Sequence, residues 1–201
     1  MTLLAVSQRT AVVGEHEESR DTLDQRLVGW LQHCGYLTAA VPNYIATEES
    51  GGKQTLKRWV DRISPLGFLL SGGEDPGVDP SRDELEFELL GIARDTNLPV
   101  LGICRGMQVM AVWAGASLEP VEGHAGKRHR LVGARSDEVN SFHRNAVVGI
   151  PNSFGVTSQA VDGVIESIVH KSLPWQGWMW HPEREQFRNP QDRSGICQLM
   201  A

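Results

Sequence analysis

In the first 115 residues of this 201-residue chain, four short apolar runs alternate with four segments of helical spacing. Leu3 to Ser7, Tyr36 to Val41, Gly67 to Leu70 and Pro99 to Ile103 have the length and composition of buried strands. Pro42 stops the second of them. Glu15 to Arg20 is polar and reads as a solvated loop. Leu23, Leu27, Trp30 and Leu31 then share one helical face, with Asp21 placed to cap it and Gly35 to end it. Leu56, Trp59, Val60 and Ile63 repeat that spacing before Pro65. Ser81 and Glu84 have capping-box spacing ahead of Leu85, Leu89 and Ile92. Gly106 to Ala114 reads as a fourth helix. Strands and helices alternating across short connections predict an α/β fold. Its central sheet is open and mostly parallel, with helices on both faces.

The second half has shorter apolar runs, Val156 to Ser158, Val164 to Val169 and Trp178 to Trp180, which predict antiparallel or mixed strands. Residues 186–201 show little helical periodicity. There is no internal repeat, low-complexity tract or linker, so residues 1–201 read as one domain. A net charge of −6 argues against a dedicated nucleic-acid binder. No apolar run nears the roughly 20 residues that span a bilayer, so no membrane partner is expected. The three cysteines form no close pairs, which excludes a disulfide framework and a CxxC metal site and suits the cytoplasm.

One cysteine stands apart. Gly102-Ile103-Cys104-Arg105-Gly106 is G-x-C-x-G between an apolar strand and an apolar helix, the pattern of a nucleophile elbow with Cys in place of Ser. Such a turn sets the sulfur at the carboxyl ends of the strands and at a helix N-terminus, which favours a thiolate. Cys34 and Cys197 lack that setting and read as structural. A nucleophile needs a base and a group to orient the base. In Trp180-His181-Pro182-Glu183, an extended chain puts His181 and Glu183 on one face, where the carboxylate can fix the imidazole tautomer.

Three motifs together, Ser71-Gly72-Gly73, Gly102 to Gln108 and Trp180 to Glu183, resemble the class I glutamine amidotransferase superfamily in content and order. The resemblance covers most of the chain and implies a flavodoxin-like sheet. It also implies a Cys104-His181-Glu183 triad and an oxyanion hole from the N–H groups of Gly73 and Arg105. Within the superfamily, Arg105 and Asn140-Ser141-Phe142-His143 look like the γ-glutamyl hydrolase branch. Val121 to His124, Arg128-His129, Glu138 to His143 and His181 to Glu185 look closest to hydrolases of γ-glutamyl-CDP-amidate. Members of the superfamily usually end in an amphipathic helix, which the pattern of residues 186–201 does not show.

By this resemblance Cys104 attacks a γ-glutamyl amide to give a thioester, with His181 first as general acid and then as general base. Gln108, Asn140, Ser141 and His143 are expected to hold the glutamyl group. The basic run Lys127 to Arg130, together with Arg9, Arg105 and Arg144, suggests that Arg9, Arg128 and Arg130 read an anionic leaving group. Trp178, Trp180 or Phe142 could offer a face to a base, though strand packing is the plainer role for them. His124 and His129 have no cysteine or carboxylate in ligand register, so no metal is expected, and no cofactor either. The partner is a small γ-glutamyl substrate, and a homodimer is left open. Two alternatives remain beside the stand-alone hydrolase of γ-glutamyl-CDP-amidate or γ-glutamyl-γ-aminobutyrate. One is a glutaminase subunit that feeds ammonia to a separate synthetase. The other is an inactive binding module, which the intact set of Cys104, His181 and Glu183 disfavours.

Overall fold

The computed structural model describes residues 2–185 and 189–201. The chain opens with β1 (Thr2–Ser7) and a ribbon of β2 (Arg9–Val13) and β3 (Glu18–Thr22). Helix α1 (Gln25–Cys34) leads to β4 (Tyr36–Val41), α2 (Gly52–Ile63) to β5 (Gly67–Leu70), and α3 (Pro80–Thr96) to β6 (Val100–Ile103). After α4 (Arg105–Trp113) come β7 (Ser117–Pro120), β8 (Ala125–Gly133), β9 (Glu138–Phe142) and β10 (Asn145–Val148). Then follow β11 (Phe154–Ala160), β12 (Ile165–His170), β13 (Trp175–Trp178) and α5 (Pro190–Leu199).

Nine strands form one sheet in the order β4-β1-β5-β6-β13-β12-β11-β8-β9. The pairs from β4 to β13 are parallel, and those from β13 to β9 are antiparallel. The parallel strands β5 and β6 are buried along their whole length, as strands covered on both faces must be. Helix α1 packs against α5, and α3 against α4. The insertion of β13 beside β6 decides the chemistry. Trp178 pairs with Ile103, so the segments leaving both strands emerge side by side at one end of the sheet.

Several local expectations change. Glu15 to Arg20 is not simply a loop, because Glu18 starts β3 and pairs back on β2. That ribbon is largely exposed on both faces, with Val12 and Val13 adjacent, and carries no alternating period to read. The cap of α1 is Asp24, whose side chain accepts from Arg26 N, whereas Asp21 in β3 binds the Asn43 amide. The cap of α3 is Asp79 with Pro80 at the first position, and Ser81 donates to Asp79 instead of capping. The chain does end in a helix, α5. It buries Asp192, Ile196 and Leu199, so a paired carboxylate occupies the place where an apolar residue would have revealed the period. Gln186 to Arg188 lie outside the described residues.

Helix α4 sits hard against β5. A Cβ on Gly106 would stand 2.2 Å from the Leu70 carbonyl oxygen, and one on Gly102 would stand 2.5 Å from the Gly106 carbonyl carbon. Gly106→Ala should therefore destabilise the protein by about 3 kcal/mol, the upper part of the usual overpacking range. The expected readout is a lower urea midpoint with an unchanged m value.

Candidate active site

Cys104 joins β6 to α4 with φ 51° and ψ −104°, a backbone state rarely adopted by a residue with a side chain. Such strain costs of order 1–3 kcal/mol and persists only where surroundings enforce it. Here the Cys104 N–H donates to the Trp178 carbonyl at 2.7 Å, and the close approach at Gly102 and Gly106 leaves the chain no wider path. The sulfur thus lies at the mouth of α4, where first-turn N–H groups lack intrahelical acceptors and favour negative charge.

His181 and Glu183 meet beside it. His181 Nδ1 lies 2.6 Å from Glu183 Oε1, so the carboxylate receives the Nδ1 proton and Nε2 is left for Cys104. The pairing does not come from a strand, because β13 ends at Trp178 and Glu183 lies in a 3-10 turn over Pro182–Arg184. Asn140 of β9 fixes the turn from both sides. Its Nδ2 donates to the His181 carbonyl at 2.8 Å, and its Oδ1 accepts from the His181 N–H at 2.9 Å. Burial works against a charged imidazole here. The hydrogen bond to Cys104, that to Glu183 and the charges of both outweigh it and raise the His181 pKa to about 9. At neutral pH the ring is therefore an imidazolium able to give up a proton.

The Ser71-Gly72-Gly73 loop forms the third side. A Cβ on Gly72 would stand 2.6 Å from His181 Cε1, and one on Gly73 would stand 2.3 Å from Arg82 Nη1, so the backbone approaches both side chains closely. Arg82 Nη2 donates to the Ser71 carbonyl at 2.7 Å and to the Gly72 carbonyl at 3.2 Å. Its Nε donates to Glu86 at 3.0 Å. Glu86 also accepts from Ser7 Oγ at 2.6 Å and from Arg105. Arg82, Glu86 and Arg105 are at most 1% exposed.

A cleft of about 560 Å³ opens over Cys104, lined by Gly73, Glu74, Asp75, Val78, Ala125, Gly126, Phe142, His143 and Arg144 as well. Of the residues expected to bind the glutamyl group, only His143 borders this cleft. Asn140 is spent on His181 and Glu185. Ser141 is fully buried. Gln108 is buried too and donates to the Asn145 carbonyl at 3.1 Å, the same carbonyl that faces His143 Nδ1.

The expected cluster of cations is dispersed by folding. Arg105 is buried between Asp83 and Glu86. Arg128 binds Glu185 at 3.0 Å and opens on a different hollow, beside Asn189 and Pro190. Arg130 lies in β8, opposite Glu138, away from the cleft. Arg9 pairs with Glu74 and borders a smaller pocket behind His181. Trp178 and Trp180 are buried and stack on each other, 5.5 Å apart, away from the Cys104 cleft. Phe142 is 43% exposed, with its ring edge-on to His181.

Sequence reading missed Glu74 and Asp75, which follow the glycine loop and border the cleft. It also missed Arg82 and Glu86, although an Arg and a Glu four apart among apolar helix positions are a signal for a buried pair. The absence of a carboxylate near His124 and His129 holds only along the chain. Folding brings Glu166 of β12 to 3.3 Å from His124 Nδ1 and 3.2 Å from His129 Nε2, so the ground for expecting no metal there falls away.

Residues 17–193 match the family model described as Glutamine amidotransferase class-I, and the chain belongs to that family. It is similar to a γ-glutamyl-CDP-amidate hydrolase of Campylobacter jejuni, 35% identical over 123 residues, covering 58% of this chain and 62% of that one. It is 28% identical over 201 residues to a γ-glutamyl-γ-aminobutyrate hydrolase of Escherichia coli O157:H7, covering 81% and 78%. The fold matches that of a candidate GMP synthase component from Thermoplasma acidophilum, with a TM-score of 0.68 at 22% identity. That match covers all of this chain and 93% of the other. No helix among the described residues is long and apolar enough to cross a membrane.

Glu86→Gln should cost about 3–5 kcal/mol, because it leaves two buried guanidinium groups short of a counter-charge. Thermal unfolding followed by calorimetry should register the loss. For His181, an NMR titration should give a midpoint near 9, and a lower one in Cys104→Ala. A raised folded-state pKa means that the charged ring adds stability. That contribution is complete below the free-imidazole value of about 6.5 and is lost as pH rises through about 9.

Proposed function

We propose that the protein is a cysteine hydrolase of γ-glutamyl amides that releases glutamate through a γ-glutamyl thioester. The observation that carries this reading is a strained Cys104 facing a Glu183-oriented His181 at the floor of a cleft lined by two acids and an arginine. The Cys104 thiolate attacks the γ-carbonyl carbon. The N–H groups of Gly73 and Arg105 receive the developing oxyanion, each worth about 3 kcal/mol of barrier. His181 protonates the departing amine, and the C–N bond breaks. It then takes a proton from water, which attacks the thioester and frees glutamate and the thiolate.

The cleft suits a glutamyl group at its wall. Glu74 and Asp75 can face an α-ammonium. Arg144 is exposed, has no ion pair among the described residues and can face an α-carboxylate. The volume exceeds what a glutamyl group needs, which leaves room for a sizeable leaving amine, and exposed Phe142 offers it an aromatic edge. Together with the similarity to the Campylobacter hydrolase, this favours a nucleotide-linked γ-glutamyl phosphoramidate such as γ-glutamyl-CDP-amidate. A second reading, a glutaminase that serves a separate synthetase, draws on 34% identity over 140 residues to the glutamine-hydrolysing component of GMP synthase from Methanothrix thermoacetophila.

The test is glutamate release from γ-glutamyl-CDP-amidate, γ-glutamyl-γ-aminobutyrate and glutamine. The nucleotide should lead in kcat/KM by about tenfold, or ~1.4 kcal/mol. Cys104→Ala should abolish release. Arg144→Ala should lower kcat/KM about 10- to 100-fold for all three, the worth of one charged hydrogen bond. A preference for the aminobutyrate amide would move the assignment to that substrate. Glutamine turnover that rises on adding a synthetase would favour the second reading, and no glutamate from any of them would sink the first.

A further inference from the structure

At the cleft wall, starting from His143, which borders the cleft, three side chains converge from distant parts of the chain. His124 precedes β8, His143 follows β9 and Glu166 lies in β12. All three are buried, and Glu166 is completely so. His124 Nδ1 is 3.1 Å from His143 Nε2. Glu166 Oε1 is 3.2 Å from His143 Nε2 and 3.3 Å from His124 Nδ1. His129 Nε2 lies 3.2 Å from the same oxygen and stands outside this group of three. The other oxygen of Glu166 has no hydrogen-bond partner among the described residues.

The outer contacts determine where the ring protons sit. His124 Nε2 lies 2.8 Å from Asp162 Oδ2, and a carboxylate can only accept, so that nitrogen carries the hydrogen. His143 Nδ1 lies 3.1 Å from the Asn145 carbonyl, which also only accepts. In neutral imidazoles the two inward nitrogens are then bare lone pairs, pointed at each other and at a carboxylate oxygen. Three acceptors at this spacing repel unless a positive centre lies among them. An outward N–H held by a carboxylate or a backbone carbonyl is also the usual support of a metal-bound histidine. The spacing fits as well, since ligands about 2.0–2.1 Å from a tetrahedral zinc ion lie about 3.3–3.4 Å apart.

We propose that His124 Nδ1, His143 Nε2 and Glu166 Oε1 bind a divalent transition-metal ion, zinc by ligand type, with these three as its protein ligands. Two imidazoles with one carboxylate suit zinc and disfavour magnesium or calcium, which prefer all-oxygen sites. The ion ties β12 to the open end of the β8–β9 pair, where Ala125 lies opposite Phe142. It thereby braces the wall formed by Ala125, Gly126 and His143. This inference does not rest on the hydrolase reading.

The experiment uses full-length Cys104→Ala, so that the thiol cannot capture metal. After chelator dialysis the protein is titrated with Zn²⁺ by calorimetry and with Co²⁺ by visible absorption, and its Tm is measured with and without Zn²⁺. One equivalent should bind, with the d–d bands of tetrahedral cobalt and a raised Tm. In the same background Glu166→Gln should remove the cobalt bands. Asp162→Ala, a change at a 56% exposed side chain that touches His124 only from outside, should weaken Zn²⁺ about 10- to 100-fold. A Cys104→Ala protein that takes up no stoichiometric zinc or cobalt overturns the proposal and leaves a proton among the three groups. Equal affinity in Glu166→Gln overturns it too, and this readout needs no enzymatic activity.

Discussion

Glu86 is the charge on which the arrangement of the site depends. It lies on α3, wholly out of water, and receives hydrogen bonds from Ser7 at the end of β1, from Arg82 on its own helix and from Arg105 beside Cys104. Arg82 in turn holds the carbonyls of Ser71 and Gly72, and Ser71 returns to Ser7 through its N–H and its hydroxyl. One buried carboxylate thus binds the ends of β1 and β5, the Ser71-Gly72-Gly73 loop and the first turn of α4 into one body. Burying these charges is costly, and their mutual pairing repays the cost only in this geometry. That requirement fixes the distance between the glycine loop and the Cys104 turn.

The two halves of the sheet divide the work. The parallel half supplies the turn at Cys104 and the glycine loop, because parallel strands deliver their carboxyl ends to one edge. The antiparallel half supplies the cleft wall and the segment that carries His181. β13 belongs to both, parallel to β6 and antiparallel to β12, and its exit carries His181. Asn140 from β9 grips the His181 backbone through both atoms of its amide, and Arg128 from β8 holds Glu185 two residues past Glu183. Asn140 and Arg128, which look like substrate ligands in the sequence, thus contact the segment that carries His181 and Glu183, while Glu74, Asp75, Phe142, His143 and Arg144 border the cleft.

The sequence by itself determined the α/β alternation, the elbow at Cys104 and the His181–Glu183 pair. Each depends on residues close together along the chain: an apolar run meeting a helix across two glycines, or a carboxylate two places from an imidazole. Tertiary structure decided what each remaining charge is free to do. Arg105 adjoins Cys104 yet is buried with Asp83 and Glu86, Arg128 is neutralised by Glu185, and neighbouring basic residues of β8 point to alternate faces, sending His129 inward to Glu166. Asp192 hid the period of α5 because its partners, Arg135 and Trp180, come from other elements. The availability of a charged or metal-ligating group is set by its counter-charges and its burial. Those come from segments tens of residues away, which no local pattern of residues records.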